Sequence, residues 1–228
     1  MAFIESIKQL DQSIFFFFNG MHNSFWDIVM SLLTKTGTWA IFYLTLIIFI
    51  VRKYKMKALV ILILLALTIV ISDQVSVFFK ETVKRFRPTH EPAIQDLVYY
   101  VHSRGGLFGF FSSHATNSFA VAVFTARLFK NTRYQFLIYF WAILVSYTRI
   151  YLGVHYPFDI LTGMLVGILI GHFIYKLLVI VENRFLLLKL PKLEHTGLTN
   201  EESYIIMLVF SIFITTILLS ASQLVRLQ

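Results

Sequence analysis

Apolar residues along this chain gather into six long runs separated by short polar links: Thr36 to Val51, Ala58 to Phe79, His114 to Phe129, Phe136 to Ile150, Pro157 to Val181 and Tyr204 to Leu219. A helix of roughly 20 apolar residues spans the hydrocarbon of a bilayer, so each run predicts a transmembrane helix. The stretch Ile14 to Leu33 mixes apolar positions with His22, Asn23, Trp26 and Asp27, a pattern that predicts an interfacial lead-in helix. Met1 to Asp11 lacks a long apolar core and carries Glu5 and Asp11, so no cleavable leader is expected. Gly163, Gly167 and Gly171 recur every fourth residue in the fifth run, as close packing against another helix requires.

Composition sharpens the class. The 228 residues are 57% hydrophobic and 14% charged, with a mean hydropathy of +0.74. A water-soluble domain cannot bury that much apolar surface, so the bilayer acts as solvent for part of it. Residues 1–228 read as a single all-α integral membrane domain of about six transmembrane helices behind an interfacial N-terminal helix. The absence of cysteine excludes disulfides, thiolate catalysis and thiolate metal sites. The net charge of +8 does not point to nucleic acid, because the basic residues sit in short clusters between apolar runs.

Those clusters predict an orientation. Arg52, Lys53, Lys55 and Lys57 join runs one and two; Arg127, Lys130 and Arg133 join runs three and four; Lys176, Arg184, Lys189 and Lys192 surround the link between runs five and six. The positive-inside rule assigns these links to the cytoplasm. Both termini and the long link from Lys80 to Phe111 then face outward, which predicts a multi-pass protein of the inner (plasma) membrane with its site on the outer side.

Three segments on that outer side carry chemistry. In the first, Lys80 and Arg87 lie seven apart, two turns along one helix face, with Lys84 close to it and Pro88 ending the helix. Alone, this segment also reads as a snorkelling basic collar. In the second, Ser112 and Ser113 precede His114 at the start of an apolar helix. They can cap it, and the helix start is also a ready anion site. The third runs from Thr148 and Arg149 to His155, Pro157 and Asp159. Pro157 suits the first helical position with Tyr156 as its cap, and Asp159 can fold back to fix the His155 tautomer. A histidine and aspartate at that spacing can also be metal ligands. Taken together, two histidines, one carboxylate and at least three cations at one mouth of a helix bundle suit a tetrahedral anion.

In these residues the chain resembles the type 2 phosphatidic acid phosphatase family, whose signatures are K-x6-R-P, P-S-G-H and S-R-x5-H-x3-D. They fall here between Lys80 and Asp159, with Phe111, Ser113 and Thr148 in place of the usual proline, glycine and serine. The resemblance implies catalysis by His155, His114 and Asp159. His155 attacks phosphorus to form a phosphohistidine, Asp159 orients it, and His114 protonates the leaving oxygen and then activates water. It implies substrate binding by Lys80, Arg87, Ser112, Ser113 and Arg149, with no metal and no cofactor.

The expected function is that of a metal-independent lipid phosphate phosphohydrolase. Its candidate substrates are undecaprenyl diphosphate, placed first, then phosphatidylglycerophosphate, phosphatidic acid and the phosphates of lipid A. The alternatives are an anion transporter and a catalytically silent lipid-phosphate-binding protein. The expected partners are the lipid substrate and membrane lipids, with no nucleic acid and no particular oligomeric state. Asp73, inside the second run, reads either as a functional intramembrane carboxylate or, at least as well, as a hydrogen-bond partner for a neighbouring helix, and it is assigned no catalytic role.

Overall fold

The computed structural model describes residues 2–185, 193 and 196–227. Lys189 and Lys192, counted above among the basic link residues, lie outside the described residues. Among the described residues eight α-helices follow in order: α1 (Ala2–Asn19), α2 (Ser24–Thr34), α3 (Ala40–Tyr54), α4 (Ala58–Val83), α5 (Ser113–Phe129), α6 (Thr132–Tyr151), α7 (Pro157–Phe185) and α8 (Asn200–Arg226). Among the described residues the β pairing is confined to one antiparallel bridge, Phe86 with Phe108.

Helices α3 to α8 occupy the six apolar runs. Among the described residues three stretches are long and apolar enough to cross a membrane: Thr36–Val83, which contains α3 and α4, Pro157–Arg184 and Asn200–Arg226. Their outward faces carry Leu44, Ile48, Ile63, Leu169, Phe173 and Ile212, all exposed, as expected where lipid rather than water is the neighbour. The chain is an integral membrane protein. Helix α5 differs because it is buried along almost its whole length and uses small and hydroxylated residues such as Ala115, Thr116, Ala120 and Ala122. Its surroundings are other helices, so it needs less apolar surface than a lipid-facing span.

The predicted glycine stripe sets how closely α7 approaches α5. A Cβ on Gly163 would lie 2.7 Å from the Ser112 carbonyl oxygen, and on Gly167 and Gly171 it would run into the carbonyls of Thr116 and Ala120. Backbone-to-backbone contact of this kind replaces the hydrophobic effect as the source of helix association in lipid.

The expected interfacial lead-in is two helices, and they do more than lie flat. α1 buries Asp11, Phe15 and Asn19, three residues spaced by four along one face. α2 packs beside α6 and α8, where Trp39, Phe42, Trp141 and Phe210 form an aromatic cluster.

The two ends of the bundle differ. At one end Lys53 pairs with Glu202, Lys57 pairs with Glu182 at 2.6 Å with both side chains 4% exposed, and the Tyr54 hydroxyl donates to the Leu128 carbonyl at 2.7 Å. At the other end the C-terminus of α4, the start of α5, the end of α6 and the start of α7 meet beneath the link 84–112.

Candidate active site

Helix α4 contributes Lys80 from its last turn and stops at Val83, with Lys84 in the left-handed region at φ 51°. Arg87 is therefore not a second residue on the α4 face, as its spacing from Lys80 suggests. The physical reason is Pro88, which favours extended geometry at the residue before it, and Arg87 has φ −68° and ψ 158°. Arg87 reaches the site by a different route. Its N–H donates to the Leu107 carbonyl at 3.1 Å and the Gly109 N–H donates to the Arg85 carbonyl at 2.9 Å. The guanidinium then donates from Nε to the Phe108 carbonyl at 3.1 Å and from Nη1 to the Val154 carbonyl at 3.4 Å, one residue before His155. Space for it comes from Gly105, at φ +72°, where a Cβ would stand 2.8 Å from Arg87 Nη1.

The start of α5 lies opposite. Ser112 is buried and caps the helix, its hydroxyl accepting from the Ala115 N–H, while its own N–H donates to the Asp159 backbone carbonyl at 3.1 Å. The Ser113 hydroxyl accepts from Lys80 Nζ and lies 2.5 Å from the Ser76 hydroxyl. His114 lines a cavity of about 320 Å³ between α3, α4, α5 and α6. The cavity wall is otherwise mostly apolar, with Trp39, Leu46, Leu65, Val121 and Trp141.

The link from α6 to α7 supplies the rest. Arg149, in the last turn of α6, donates from Nη1 to the Thr34 hydroxyl at 2.7 Å. The N–H groups of Val154 and His155 both donate to the Arg149 carbonyl, at 3.1 and 3.3 Å, in a turn that passes through Gly153 at φ +77°. This turn folds His155 back over Arg149. α7 then begins at Pro157, as predicted. His155 is 2% exposed and Asp159 fully buried. The His155 Nδ1 stands 3.5 Å from Asp159 Oδ2, close enough for an ion-pair contact but without a formed hydrogen bond. Asp159 Oδ2 accepts instead from the Tyr156 N–H at 3.0 Å. Catalytic hydrogen bonds are often this long before substrate arrives.

All eight sequence-predicted site residues meet at one end of the bundle. Lys80, Arg87 and Arg149 act on the His155 ring as neighbouring charges, and His114 feels Arg149, His155 and Lys80. Burial, and then those three cations, push the His155 imidazole well below the usual histidine range, so it is neutral at physiological pH. Among the described residues, none of the three cations makes an ion pair; their donors reach hydroxyls and carbonyls. Positive charge left without a carboxylate in a half-buried cleft favours an anion. Among the described residues no group of three or more histidine, aspartate or glutamate side chains is close enough to hold a metal ion.

Sequence reasoning missed two members of this end of the molecule. Arg85 donates to Asp159 Oδ1 at 2.9 Å and to Asp11 Oδ2 at 2.6 Å. Asp11 also accepts the Phe158 N–H at 2.9 Å. The signal available for Asp11 was its four-residue spacing with Phe15 and Asn19.

The model of the PAP2 superfamily matches residues 57–181. The chain is 38% identical over 186 residues to the lipid A 4'-phosphatase of Porphyromonas gingivalis, covering 80% of this chain and 79% of that protein. It is 41% identical over 168 residues to the lipid A 4'-phosphatase of Bacteroides thetaiotaomicron, covering 72% and 75%. The fold is that of the transmembrane PAP2-type phosphatidylglycerolphosphate phosphatase of Bacillus subtilis, with a TM-score of 0.59 at 23% identity, covering 79% of this chain and 89% of that one.

Proposed function

The chain belongs to the PAP2 superfamily and is a membrane lipid phosphatase, and we propose that it removes a phosphate from a lipid A-type glycolipid at the outer face of the inner membrane. The observation that carries the reading is the asymmetry of the site. A neutral imidazole, His155, sits among three cations, while His114 faces the apolar cavity. Lipid lying in that cavity puts the leaving oxygen beside His114 and the phosphorus within reach of His155.

The roles follow from that placement. Lys80, Arg87 and Arg149 hold the phosphoryl oxygens and offset the charge that develops in the transition state, with Ser113 and the α5 N-terminus beside them. Asp159 faces Nδ1, so Nε2 of His155 attacks phosphorus. The phosphorus–oxygen bond to the lipid breaks as His114, which takes up a proton once the negative charge of the bound phosphate offsets Arg149 and Lys80, gives that proton to the leaving oxygen. His114, now neutral, takes a proton from water, which attacks the phosphohistidine and releases inorganic phosphate. The charge that a metal ion would otherwise supply comes from the three side-chain cations.

The two lipid A 4'-phosphatase relatives, at 38% and 41% identity, move a lipid A phosphate ahead of undecaprenyl diphosphate among the candidates. The outward placement is supported by Arg52, Lys53, Lys57, Lys130 and Arg133, which gather at the opposite end of the bundle.

The test is phosphate release by the purified protein in detergent with chelator present. Its substrates are lipid A, undecaprenyl diphosphate, phosphatidylglycerophosphate and phosphatidic acid, compared for wild type and His114→Ala. The highest kcat/KM is expected for lipid A, with a large loss in His114→Ala. A preference for the isoprenyl diphosphate would overturn the substrate assignment, and no release from any of the four would overturn the hydrolytic reading.

A further inference from the structure

Arg85 lies between Lys80 and Arg87 of the signature segment, yet, unlike these two and Arg149, it is ion-paired with carboxylates among the described residues. One guanidinium nitrogen donates to Asp159 Oδ1 at 2.9 Å, the other to Asp11 Oδ2 at 2.6 Å, and the guanidinium carbon sits 4.2 Å above the centre of the Tyr156 ring. The two carboxylates are 0% and 1% exposed at their side chains, whereas Arg85 retains 26%. Each bond is charge-assisted, and together they fix the planar fork in one orientation.

The second oxygen of Asp11 accepts the Phe158 N–H at 2.9 Å, one residue before Asp159. Asp11 thereby supplies an acceptor to the exposed N–H groups at the start of α7, from a helix far away in sequence. Asp11 also lies outside residues 57–181, so this brace comes from a part of the chain beyond the family match. With Oδ1 held by Arg85, Asp159 can present only Oδ2 to His155 Nδ1, and the Tyr156 N–H holds that oxygen from one side.

We propose that Arg85 and Asp11 are positioning residues for the phosphatase reaction: α1, through Asp11, locks Arg85, which fixes the Asp159 carboxylate so that it orients the nucleophilic His155. The proposal rests on the reading of His155 as nucleophile and Asp159 as its orienting partner. Neither Arg85 nor Asp11 touches the phosphoryl group, so their loss should change the rate of the chemical step and leave substrate binding alone.

The experiment compares wild type, His155→Ala, Arg85→Met, Arg85→Lys and Asp11→Asn as purified full-length proteins. Steady-state phosphate release from lipid A and the thermal unfolding midpoint are read in parallel. Arg85→Met is expected to lower kcat about 10- to 100-fold, the range typical for groups that orient a catalytic side chain, with KM within about twofold. Arg85→Lys, which keeps the charge and one contact, is expected to recover part of that loss. Asp11→Asn, nearly the same shape, is expected to lose about tenfold or less. Wild-type kcat in Arg85→Met and Asp11→Asn, with only the melting temperature lowered, overturns the proposal and leaves the hydrolytic reading intact. Full turnover by His155→Ala overturns the nucleophile assignment and the proposal with it. If Arg85→Met does not fold, Arg85→Lys and Asp11→Asn decide by the same criterion.

Discussion

The ammonium of Lys80 donates a hydrogen bond to the hydroxyl of Ser113, the residue that stands where the family signature has glycine. Among the described residues positive φ at non-glycine positions falls at Lys55, Lys84, His102 and Lys130, not at Ser113. Glycine's backbone freedom is therefore not needed at this position. What serine adds is an acceptor that holds a flexible lysine in place beside the cleft, sparing part of the entropy otherwise lost when phosphate binds.

Replacement of Ser113 by alanine should accordingly weaken substrate binding more than chemistry. A hydrogen bond to a charged donor is worth roughly 1.5 kcal/mol, so KM is expected to rise about tenfold with kcat little changed. Steady-state kinetics on the variant check this; a fall in kcat at constant KM would place Ser113 in the transition state instead.

Arg87 controls both charge and protonation at the site. Its removal in Arg87→Ala takes away one oxyanion donor, expected to lower kcat/KM about 100-fold or more. The same change has a signed effect on pH dependence. His155 must be neutral to attack, and burial together with Arg87, Arg149 and Lys80 holds its pKa well below 6.5. Wild type should therefore keep its nucleophile active as pH falls through 6.5 and lose it only as pH falls further. Taking away the Arg87 cation raises the His155 pKa, so the acidic limb of the kcat/KM profile is expected to move to higher pH. Parallel profiles on one substrate cancel the titration of the lipid phosphate, and a limb that stays put or moves down would contradict the assignment.

Much of this site is legible in the sequence because its determinants are local. The cap at Ser112, the helix start at Pro157 and the four-residue step from His155 to Asp159 are all short-range relations that helical geometry dictates. The convergence of Lys80 and Arg87 is legible as an outcome but not as a route, because the antiparallel pairing of residues 85–87 with 107–109 leaves no periodic trace. The Arg85 bridge was out of reach: each of its two carboxylates lies 74 positions away. Hydropathy shows which helix faces are apolar and is silent about which buried charge meets which. The same limit applies to α5, whose burial against protein rather than lipid makes it less apolar than α4 and α7.

The glycine stripe yields a stability prediction. A side chain at Gly167 would strike the Thr116 carbonyl and come within 3.1 Å of the Ala120 nitrogen and the Phe119 Cβ. Backbone cannot move aside as a flexible side chain can, so Gly167→Val is expected to destabilise the bundle by about 1–3 kcal/mol. α5 carries His114, so activity should fall alongside stability. Thermal unfolding in detergent reads the first effect, and an unchanged midpoint would show that α5 and α7 do not depend on this close approach.

The most direct measurement is a search for the covalent intermediate. Purified enzyme is mixed with lipid phosphate, quenched in alkali to preserve a phosphorus–nitrogen bond, digested, and its peptides are mapped by mass spectrometry. A phosphoryl group on the peptide bearing His155, absent from His155→Asn, is the expected result. A phosphoryl group on the His114 peptide, or undiminished turnover by His155→Asn, would contradict it.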